Sequence, residues 1–293
     1  MTIQWFPGHM AKANRELKEN LGKIDVVIEL VDARLPQASR NPMLNETAAG
    51  KPRVIAMMKT DLADPEVTKA WHAFFEERGE TVVNVNAKHG KGLKDLLNTA
   101  VEVGKQTQAR LIEKGVSPRA PRAMVIGVPN VGKSTLINQL INKKTANIGD
   151  TPGVTRQQQW LKVNQNLDLL DTPGILWPKF EYEDVGNKLA LVKAIKEERF
   201  IAQDVALFLI NILKERYPEL LKDRYKLDEI PEDGVELFEA IGLKRGCLIR
   251  KGDVDFEKAA GVVLTDFRNE KLGKISLETP NDWKERLTEE SEA

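Results

Sequence analysis

The stretch GVPNVGKS, residues 127–134, decides the fold of this chain. It fits the pattern G-x-x-x-x-G-K-[ST], in which backbone N–H groups cradle nucleotide phosphates. Residues 122–128 before it predict a short buried strand, and residues 135–144 after it predict an amphipathic helix. A strand, a glycine loop and a helix N-terminus together form a preorganised anion site. The stretch therefore predicts a phosphate-binding loop, with a simple glycine turn as the alternative.

The residue types in this loop match the chemistry of a bound nucleotide. Its glycines allow close backbone approach, Lys133 reaches the β- and γ-phosphates, and the Ser134 hydroxyl can ligate Mg²⁺. The predicted nucleotide contacts of the loop are Asn130, Val131, Gly132, Lys133, Ser134 and Thr135.

Composition indicates a soluble protein with more than one domain. The 293 residues are 30% charged and 41% hydrophobic, with a formal net charge of zero. Residues 1–180 carry 25 basic and 18 acidic side chains, whereas residues 181–293 carry 19 and 26. The basic first part suggests a polyanionic partner, and a solvated charged face is the alternative. The single cysteine excludes an internal disulfide, and the chain has neither a long apolar run nor a signal-like start, so we expect a cytoplasmic protein.

Hydrophobic patterns predict an α/β sheet followed by helices. The apolar runs 24–31, 53–58 and 81–85 read as parallel strands, each ending in polar residues. Residues 160–164 and 167–170 predict a hairpin of two further strands. Residues 104–121 are polar with two prolines, and we expect a connector there, helical in part, rather than a core element.

Three segments follow from this pattern. We expect an α/β domain over residues 1–178, including an N-terminal helix. Apolar residues at helical spacing predict a mainly helical domain over residues 179–285. The last residues, 286–293, predict a disordered acidic tail.

Candidate ligands for a γ-phosphate and its metal ion follow the phosphate loop. Thr155 lies in an irregular segment where a second Mg²⁺ oxygen ligand is expected. Asp171 ends an apolar strand and can hold the water shell of the metal ion. The N–H of Gly174 can contact the γ-phosphate.

Candidate residues for reading a guanine base precede the phosphate loop. The Asp61 carboxylate can accept two hydrogen bonds from guanine, whereas adenine would leave it unpaired. The stem of Lys59 can cover the base, and the N–H of Ala87 can meet guanine O6. The two predicted base-reading turns consist of Met58, Lys59, Thr60, Asp61, Asn86, Ala87 and Lys88.

These motifs, in this order, resemble a known family. Residues 59–61 (KTD) are similar to the N-K-x-D motif, residues 86–88 (NAK) to S-A-K, and residues 171–174 (DTPG) match D-x-x-G. The base-reading motifs come first, which is the order of a circularly permuted GTPase. With WFPGHM at 5–10, VDARLPQASRNP at 31–42 and RGCLIRKGDVDFEKAA at 245–260, nearly the whole chain resembles the ribosome biogenesis GTPase A family.

The resemblance implies a circularly permuted P-loop GTPase fold with a C-terminal helical domain. It also implies GTP and GDP with Mg²⁺ as ligands, and K⁺ held beside the phosphates by Asn130, for which an ordinary loop asparagine is the alternative. The implied partner is a late precursor of the large ribosomal subunit, bound with GTP and released on hydrolysis. We expect slow hydrolysis by the free protein, stimulation by the subunit, a monomer and no membrane association.

Three positions depart from familiar motifs. Met58 stands where the guanine motif usually has asparagine, and Asn86 replaces the usual serine. Since Met58 cannot form the bracing hydrogen bonds of asparagine, we expect weaker affinity or selectivity for guanine. Ile175 follows Gly174 where signalling GTPases carry a water-orienting glutamine, so the catalytic group must come from elsewhere.

His9 is the candidate for that catalytic group. An imidazole can accept a hydrogen bond from the attacking water, and the resemblance assigns this role to the histidine of the Pro-Gly-His segment. A structural histidine that caps the first helix is the alternative.

A basic cluster in the acidic second part is the candidate RNA contact. It consists of Lys244, Arg245, Arg250 and Lys251. A solvated helix end is the alternative. Two rival functions remain open at this point: a nucleotide-gated RNA-binding scaffold with little hydrolysis, and a metabolic phosphotransferase that uses the same phosphate loop.

Overall fold

The computed structural model describes residues 8–141 and 159–292, with side chains over 15–141 and 159–287. Six strands form one sheet at its centre. They are β1 (Val26–Asp32), β2 (Arg53–Met58), β3 (Thr81–Val85), β4 (Arg122–Gly127), β5 (Gln159–Asn164) and β6 (Leu167–Asp171). Their order is β3-β2-β1-β4-β6-β5, and only the pairing of β5 with β6 is antiparallel.

The sheet order explains how a late phosphate loop meets early base-reading turns. β4 carries the phosphate loop and pairs with β1, although 89 residues lie between Asp32, the end of β1, and Arg122, the start of β4. β1 is buried along its whole length, and β2 and β4 are buried beyond their first residue. Such continuous burial is typical of central parallel strands. The edge strand β5 is largely exposed, as expected for the outer strand of a hairpin.

Five helices accompany the sheet in the first part of the chain. They are α1 (Gly8–Leu21), α2 (Pro42–Thr47), α3 (Pro65–Glu77), α4 (Leu93–Ile112) and α5 (Lys133–Leu140). α3 starts at Pro65 because Asp64 caps it, accepting hydrogen bonds from the N–H groups of Glu66 and Val67. Its apolar face buries Trp71, whose ring stacks on Phe75.

The predicted connector at 104–121 is wrong over its first half. α4 continues to Ile112, and both Gly104 and Gln108 are buried in it. A Cβ on Gly104 would lie 2.6 Å from Cβ of Pro121, so only glycine permits this approach of the chain. Gln108 donates to Asp25 Oδ2 at 3.2 Å. The polar composition of the segment concealed one buried helical face.

Six helices make up the second part of the chain. They are α6 (Glu183–Leu191), α7 (Ala202–Arg216), α8 (Pro218–Tyr225), α9 (Gly234–Lys244), α10 (Phe256–Arg268) and α11 (Asn281–Glu292). Helices α7, α9 and α10 pack on one another around buried leucine, valine and phenylalanine side chains. Over the described residues, no helix combines the length and apolar character needed to cross a membrane.

The prediction of a disordered tail from residue 286 is also wrong at its start. Residues 281–292 form α11. Arg286 donates to both oxygens of Asp184 at 3.1 Å and lies over the ring of Tyr182. The acidic composition of this segment hid an arginine that anchors it.

The segment before α11 returns to the α/β part of the chain. The N–H of Ile275 donates to the carbonyl of Leu62 at 3.1 Å, and the N–H of Leu277 donates to the carbonyl of Arg34 at 2.7 Å. The helical part therefore closes back on the loops that follow β1 and β2.

Glu278 is the buried centre of this return. One carboxylate oxygen accepts from the N–H groups of Gln37 and Ala38 at 2.7 and 3.0 Å. The other accepts from Lys188 Nζ at 3.0 Å and from the indole N–H of Trp283 at 2.9 Å. Burial would lower the pKa of Lys188, but Glu278 and Asp184 outweigh it and raise that pKa. One ionised carboxylate thus joins three separate stretches of chain.

We predict that Glu278→Gln destabilises the protein. The new amide NH₂ would face the donors of Lys188 and Trp283, and the Lys188 charge would lose its buried partner. Breaking a buried pair from one side costs about 3–5 kcal/mol. Urea unfolding measures this cost. The control is Glu285→Gln at an exposed position of α11, which should shift the free energy of unfolding by less than about 0.5 kcal/mol. Equal shifts in the two variants would contradict the assignment.

Candidate nucleotide-binding site

The phosphate loop joins β4 to the start of α5. Two of its residues have left-handed backbone conformations, Asn130 with φ 59° and Gly132 with φ 109°. α5 begins at Lys133, so its first N–H groups face the loop. Gly174 packs on the other side, where a Cβ would lie 2.9 Å from Cα of Pro129. The D-x-x-G glycine and the phosphate loop are therefore in direct contact.

Lys133 and Asp171 meet beneath the loop. Lys133 Nζ lies 3.2 Å from Asp171 Oδ1 and also donates to the carbonyl of Thr172. Burial lowers the pKa of the Lys133 ammonium below its usual value, and Asp171 only partly opposes this. The lysine charge is thus held in a dry pocket beside a single carboxylate, where an incoming phosphate would be attracted strongly.

The site fits a magnesium ion with its water shell. Asp171 is fully buried, and its Oδ2 has no hydrogen-bond partner among the described residues. A buried carboxylate oxygen without a partner is costly unless a cation or its bound water approaches it. Ser134 follows Lys133 in the first turn of α5. Thr155, the second predicted ligand, lies outside the described residues.

The two predicted base-reading turns lie at the ends of β2 and β3. Lys59 adopts a left-handed backbone with φ 59°, and its Nζ donates to the phosphate-loop carbonyl of Asn130 at 2.7 Å. Thr60 and the half-buried Asp61 follow it. Ala87 and Lys88 form a 3₁₀ turn that contacts α5. The structure therefore brings both turns beside the phosphate loop, whose Val131 is buried and whose Thr135 is half-buried.

The two unusual residues of these turns have local packing roles. Met58 is buried, and its terminal methyl lies 3.3 Å from the position of a Cβ on Gly132. It touches the phosphate loop through van der Waals contact instead of hydrogen bonds. The Asn86 side chain accepts from the N–H of His89 at 3.1 Å and caps the 3₁₀ turn. How these replacements affect guanine affinity stays a prediction.

The residues around the predicted hydrolytic centre are placed only in part. Ile175 is buried, and its N–H donates to the carbonyl of Gly127 at 3.3 Å. Its own carbonyl accepts from Asn41, a side chain that also caps α2. The backbone of His9 belongs to α1, and its side chain lies outside the described part of the structure.

The helical part of the chain also touches the phosphate loop. Asn130 Nδ2 donates to the carbonyl of Lys193 at 2.7 Å, just after α6. Lys193 has a left-handed backbone, with φ 60°. Sequence patterns gave no signal for this contact, because 63 residues and a change of domain separate its partners.

The four basic residues predicted to contact RNA differ in their exposure and in their partners. Arg250 and Lys251 are exposed in the turn between α9 and α10. Lys244 pairs with Asp228 at 3.4 Å on the surface. Arg245 turns inward, where it donates to the carbonyl of Arg224 at 3.0 Å and lies over the ring of Tyr225.

Arg245 belongs instead to a basic groove of about 610 Å³ beside α10. The groove is lined by four cations, namely Arg224, Arg245, Lys258 and Lys271. Asp266, buried at the base of the groove, lies 2.7, 3.6 and 3.7 Å from the charged nitrogens of Arg224, Arg245 and Lys271. Three cations share this one carboxylate, so the groove keeps an excess of positive charge. In the sequence, Lys258, Gly261 and Thr265 lie at positions i, i+3 and i+7 of one helix. This spacing could have indicated that they share the helix face that lines the groove.

Comparison with known proteins agrees with this geometry. Residues 122–237 match a family model described as a 50S ribosome-binding GTPase. The match begins at the first residue of β4, so the strands β1 to β3 and their base-reading turns precede it.

Relatives match the chain over nearly its whole length. The ribosome biogenesis GTPase A of Priestia megaterium is 53% identical over 98% of this chain and 100% of that protein. The chain belongs to the ribosome biogenesis GTPase A family. The member of this family from Bacillus cereus is 52% identical over 98% of this chain and 97% of the relative, and that from Thermotoga maritima is 32% identical over 96% and 95%.

Solved structures of the family share the fold. The GDP-bound structure of TM YlqF is 30% identical, with a TM-score of 0.62 over 92% of this chain and 100% of that chain. The crystal structure of GNP-bound YlqF from T. maritima has the same identity and a TM-score of 0.60, over 92% and 98%. The ribosome biogenesis GTPase A fold of this chain is thus a circularly permuted P-loop GTPase followed by a mainly helical domain, as the motif order predicted.

We predict that Asp61→Ala weakens GDP binding by about 10- to 100-fold. This factor corresponds to the loss of charge-assisted hydrogen bonds worth about 1.5–3 kcal/mol. Affinity for ADP, which lacks the matching donors, should stay unchanged. Isothermal titration calorimetry measures both. Asp95→Ala, at an exposed position of α4, is the control. Equal loss of GDP and ADP affinity would show that Asp61 does not read the base.

Proposed function

We propose that this ribosome biogenesis GTPase A family member hydrolyses GTP as an assembly factor of the large ribosomal subunit. It binds late precursor particles in the GTP state and leaves them after hydrolysis. The observation that carries the proposal is the single edge of the sheet at which the phosphate loop, Asp171 and both base-reading turns meet. The names of the relatives supply the ribosomal partner.

The proposed chemistry is electrostatic positioning of the nucleotide. The phosphate-loop N–H groups and Lys133 hold the β- and γ-phosphates, and the Gly174 N–H meets the γ-phosphate. Ser134 and Thr155 would be direct ligands of Mg²⁺ and Asp171 would hold it through a water, and the bound ion would supply positive charge against the charge that develops on the phosphates. The unpartnered Asp171 Oδ2 supports this assignment. Asp61, Lys59 and Ala87 select guanine.

Two further roles belong to the same proposal. His9 orients the attacking water, because the buried Ile175 cannot do so. Asn130 would hold K⁺ beside the phosphates through its amide oxygen, while its amide nitrogen donates to the carbonyl of Lys193. We further propose that the factor acts as a cytoplasmic monomer.

The route of the chain supports coupling between hydrolysis and release. β6 ends at Asp171 and leads through Gly174 and the buried Trp177 to α6. The phosphate loop itself contacts the residue after α6 through Asn130. A shift of Gly174 towards or away from the γ-phosphate would therefore move α6. We propose residues 1–178 as the GTPase domain and the helices from residue 179 as the particle-binding domain.

We predict that the protein sediments with large-subunit precursor particles in the presence of a non-hydrolysable GTP analogue and stays in the supernatant with GDP. Single-turnover phosphate release should be at least about tenfold faster with particles than without them. Free phosphate as the product distinguishes a hydrolase from a phosphotransferase, which would yield a phosphorylated acceptor. Particle binding without acceleration would instead support a nucleotide-gated scaffold.

His9→Ala should abolish the acceleration while leaving sedimentation intact.

We also propose that the basic groove beside α10, together with Arg250 and Lys251, contacts ribosomal RNA phosphates. Three of its cations, Arg224, Arg245 and Lys271, are held side by side by the buried Asp266, so these three need little further ordering on binding. At Gly261, a Cβ would meet nothing within 4 Å. The groove therefore leaves room there for an RNA backbone to approach. Lys244 is a weaker candidate because it already faces Asp228.

We predict that the double variant Lys258→Gln, Lys271→Gln weakens binding to precursor particles and lowers its salt dependence. Each lost phosphate contact should reduce the slope of log K against log salt by about 0.7–0.9. Filter binding over a range of salt concentrations measures the slope. The control is Lys69→Gln, Lys94→Gln, which removes the same charge from exposed positions of α3 and α4. An unchanged slope in the groove variant would contradict the proposal.

A further inference from the structure

A buried carboxylate joins the base-reading turn to the phosphate loop. Asp32 ends β1 and is 1% exposed. Its Oδ2 accepts from Lys59 Nζ at 3.0 Å, and the same Nζ donates to the carbonyl of Asn130 at 2.7 Å. Lys59 thereby bridges the end of β1 and the phosphate loop.

Asp32 is held ionised by two cations. The Arg34 guanidinium forms a bidentate pair with it, at 2.9 Å to Oδ1 and 2.8 Å to Oδ2. Burial alone would raise the pKa of Asp32, but Arg34 and Lys59 outweigh it and hold that pKa well below its usual range. Arg34 and Lys59 therefore share one carboxylate oxygen. If the carboxylate were neutral, these two cations would repel each other at close range.

The repulsion would displace Lys59 rather than Arg34. The Arg34 side chain is 7% exposed and lies over the Phe267 ring, whereas Lys59 is 26% exposed and carries a flexible stem. Lys59 also depends on its surroundings because its left-handed backbone is strained for a residue with a Cβ. Loss of the Asp32 charge would thus release the lysine whose stem is placed to cover the base.

The helical domain packs on the other side of this arrangement. The Arg34 guanidinium lies 5.2 Å from the centre of the Phe267 ring in α10. The Arg34 carbonyl accepts from the N–H of Leu277 at 2.7 Å. The orientation of Arg34, and through it that of Asp32, is therefore fixed in part by residues that are distant in sequence and belong to the helical domain.

We propose that Asp32 is a positioning residue for guanine nucleotides, which holds Lys59 across the base and the phosphate loop, and that Arg34 makes this hold depend on the docked helical domain. The inference rests on the nucleotide site proposed above. A wild-type protein that failed to bind GDP would refute that site. A wild-type protein that binds GDP with no contribution from Asp32 would refute only this inference.

The test is a double-mutant cycle on GDP affinity in the full-length protein. Asp32→Asn keeps the shape and removes the charge, and should raise the Kd for GDP about tenfold, as expected for a lost charge-assisted hydrogen bond. In a Lys59→Met background the same change should raise the Kd by less than about twofold, because the group through which Asp32 acts is gone. An equal loss in both backgrounds, or no loss in a folded Asp32→Asn protein, would overturn the proposal.

Asp25→Asn is the matched control. Asp25 directly precedes β1 at its opposite end, is equally buried, and pairs with Arg119 at 2.7 Å. It lies at the edge of the sheet away from the nucleotide. Asp25→Asn should destabilise the fold to a similar extent in thermal unfolding yet leave the Kd for GDP within about twofold of the wild-type value. A comparable rise of the Kd in this variant would mean that any buried charge near β1 has the same effect, against the proposal.

A second pair of variants tests the link to the helical domain without touching the carboxylate. Phe267→Leu removes the ring beneath Arg34 and should raise the Kd for GDP about threefold, the size of a lost cation–π contact. Phe238→Leu removes a similarly buried ring that packs edge-to-face with Phe256 within the helical domain, and should leave the Kd unchanged. An unchanged Kd in Phe267→Leu would overturn the link between Arg34 and the helical domain. This test does not depend on Asp32→Asn, so it remains decisive if that variant does not fold.

Discussion

The parallel pairing of β1 with β4 is the interaction on which the rest of the structure depends. It aligns Leu30 with Gly127, so the loop after β1 and the phosphate loop leave the sheet side by side. β2 and β3 then place their carboxyl ends along the same edge. Because parallel strands end at one edge, residues that bind base, phosphate and metal ion come together whatever their order along the chain. A circular permutation therefore leaves the site intact.

The permutation changes which segment of the chain follows each strand. The strand that carries Asp171 continues into the helical domain, and that domain returns through residues 274–280 to the loops after β1 and β2. Contacts at Lys193, Phe267 and Leu277 consequently connect the helices to the phosphate loop and to Arg34. Under the proposed function, nucleotide and ribosomal particle would each favour the arrangement of these contacts that the other requires, which is the thermodynamic meaning of a switch.

Buried charge carries much of this arrangement. Asp32 and Glu278 are each surrounded by donors from distant parts of the chain, and each is an ionised carboxylate in a dry setting. Such groups contribute little net stability relative to apolar packing, but they allow only one relative placement of their partners. That property suits a protein whose two parts must adopt defined orientations.

The sequence by itself determined the phosphate loop, the bounds of β2 and β3, the hairpin of β5 and β6 and the permuted order, because these depend on local spacing and on motifs within a few residues. It misjudged residues 104–112 and 286–287, whose polar composition concealed one buried face and one anchoring arginine. Only the tertiary structure decided that Asp32, Lys59 and Asn130 share one bridge, that Arg245 turns inward and that Lys193 meets the phosphate loop. These contacts join residues that are dozens of positions apart in the chain. Local propensity depends on neighbouring residues, so it cannot show which distant groups the packing of the sheet and helices brings within hydrogen-bonding distance.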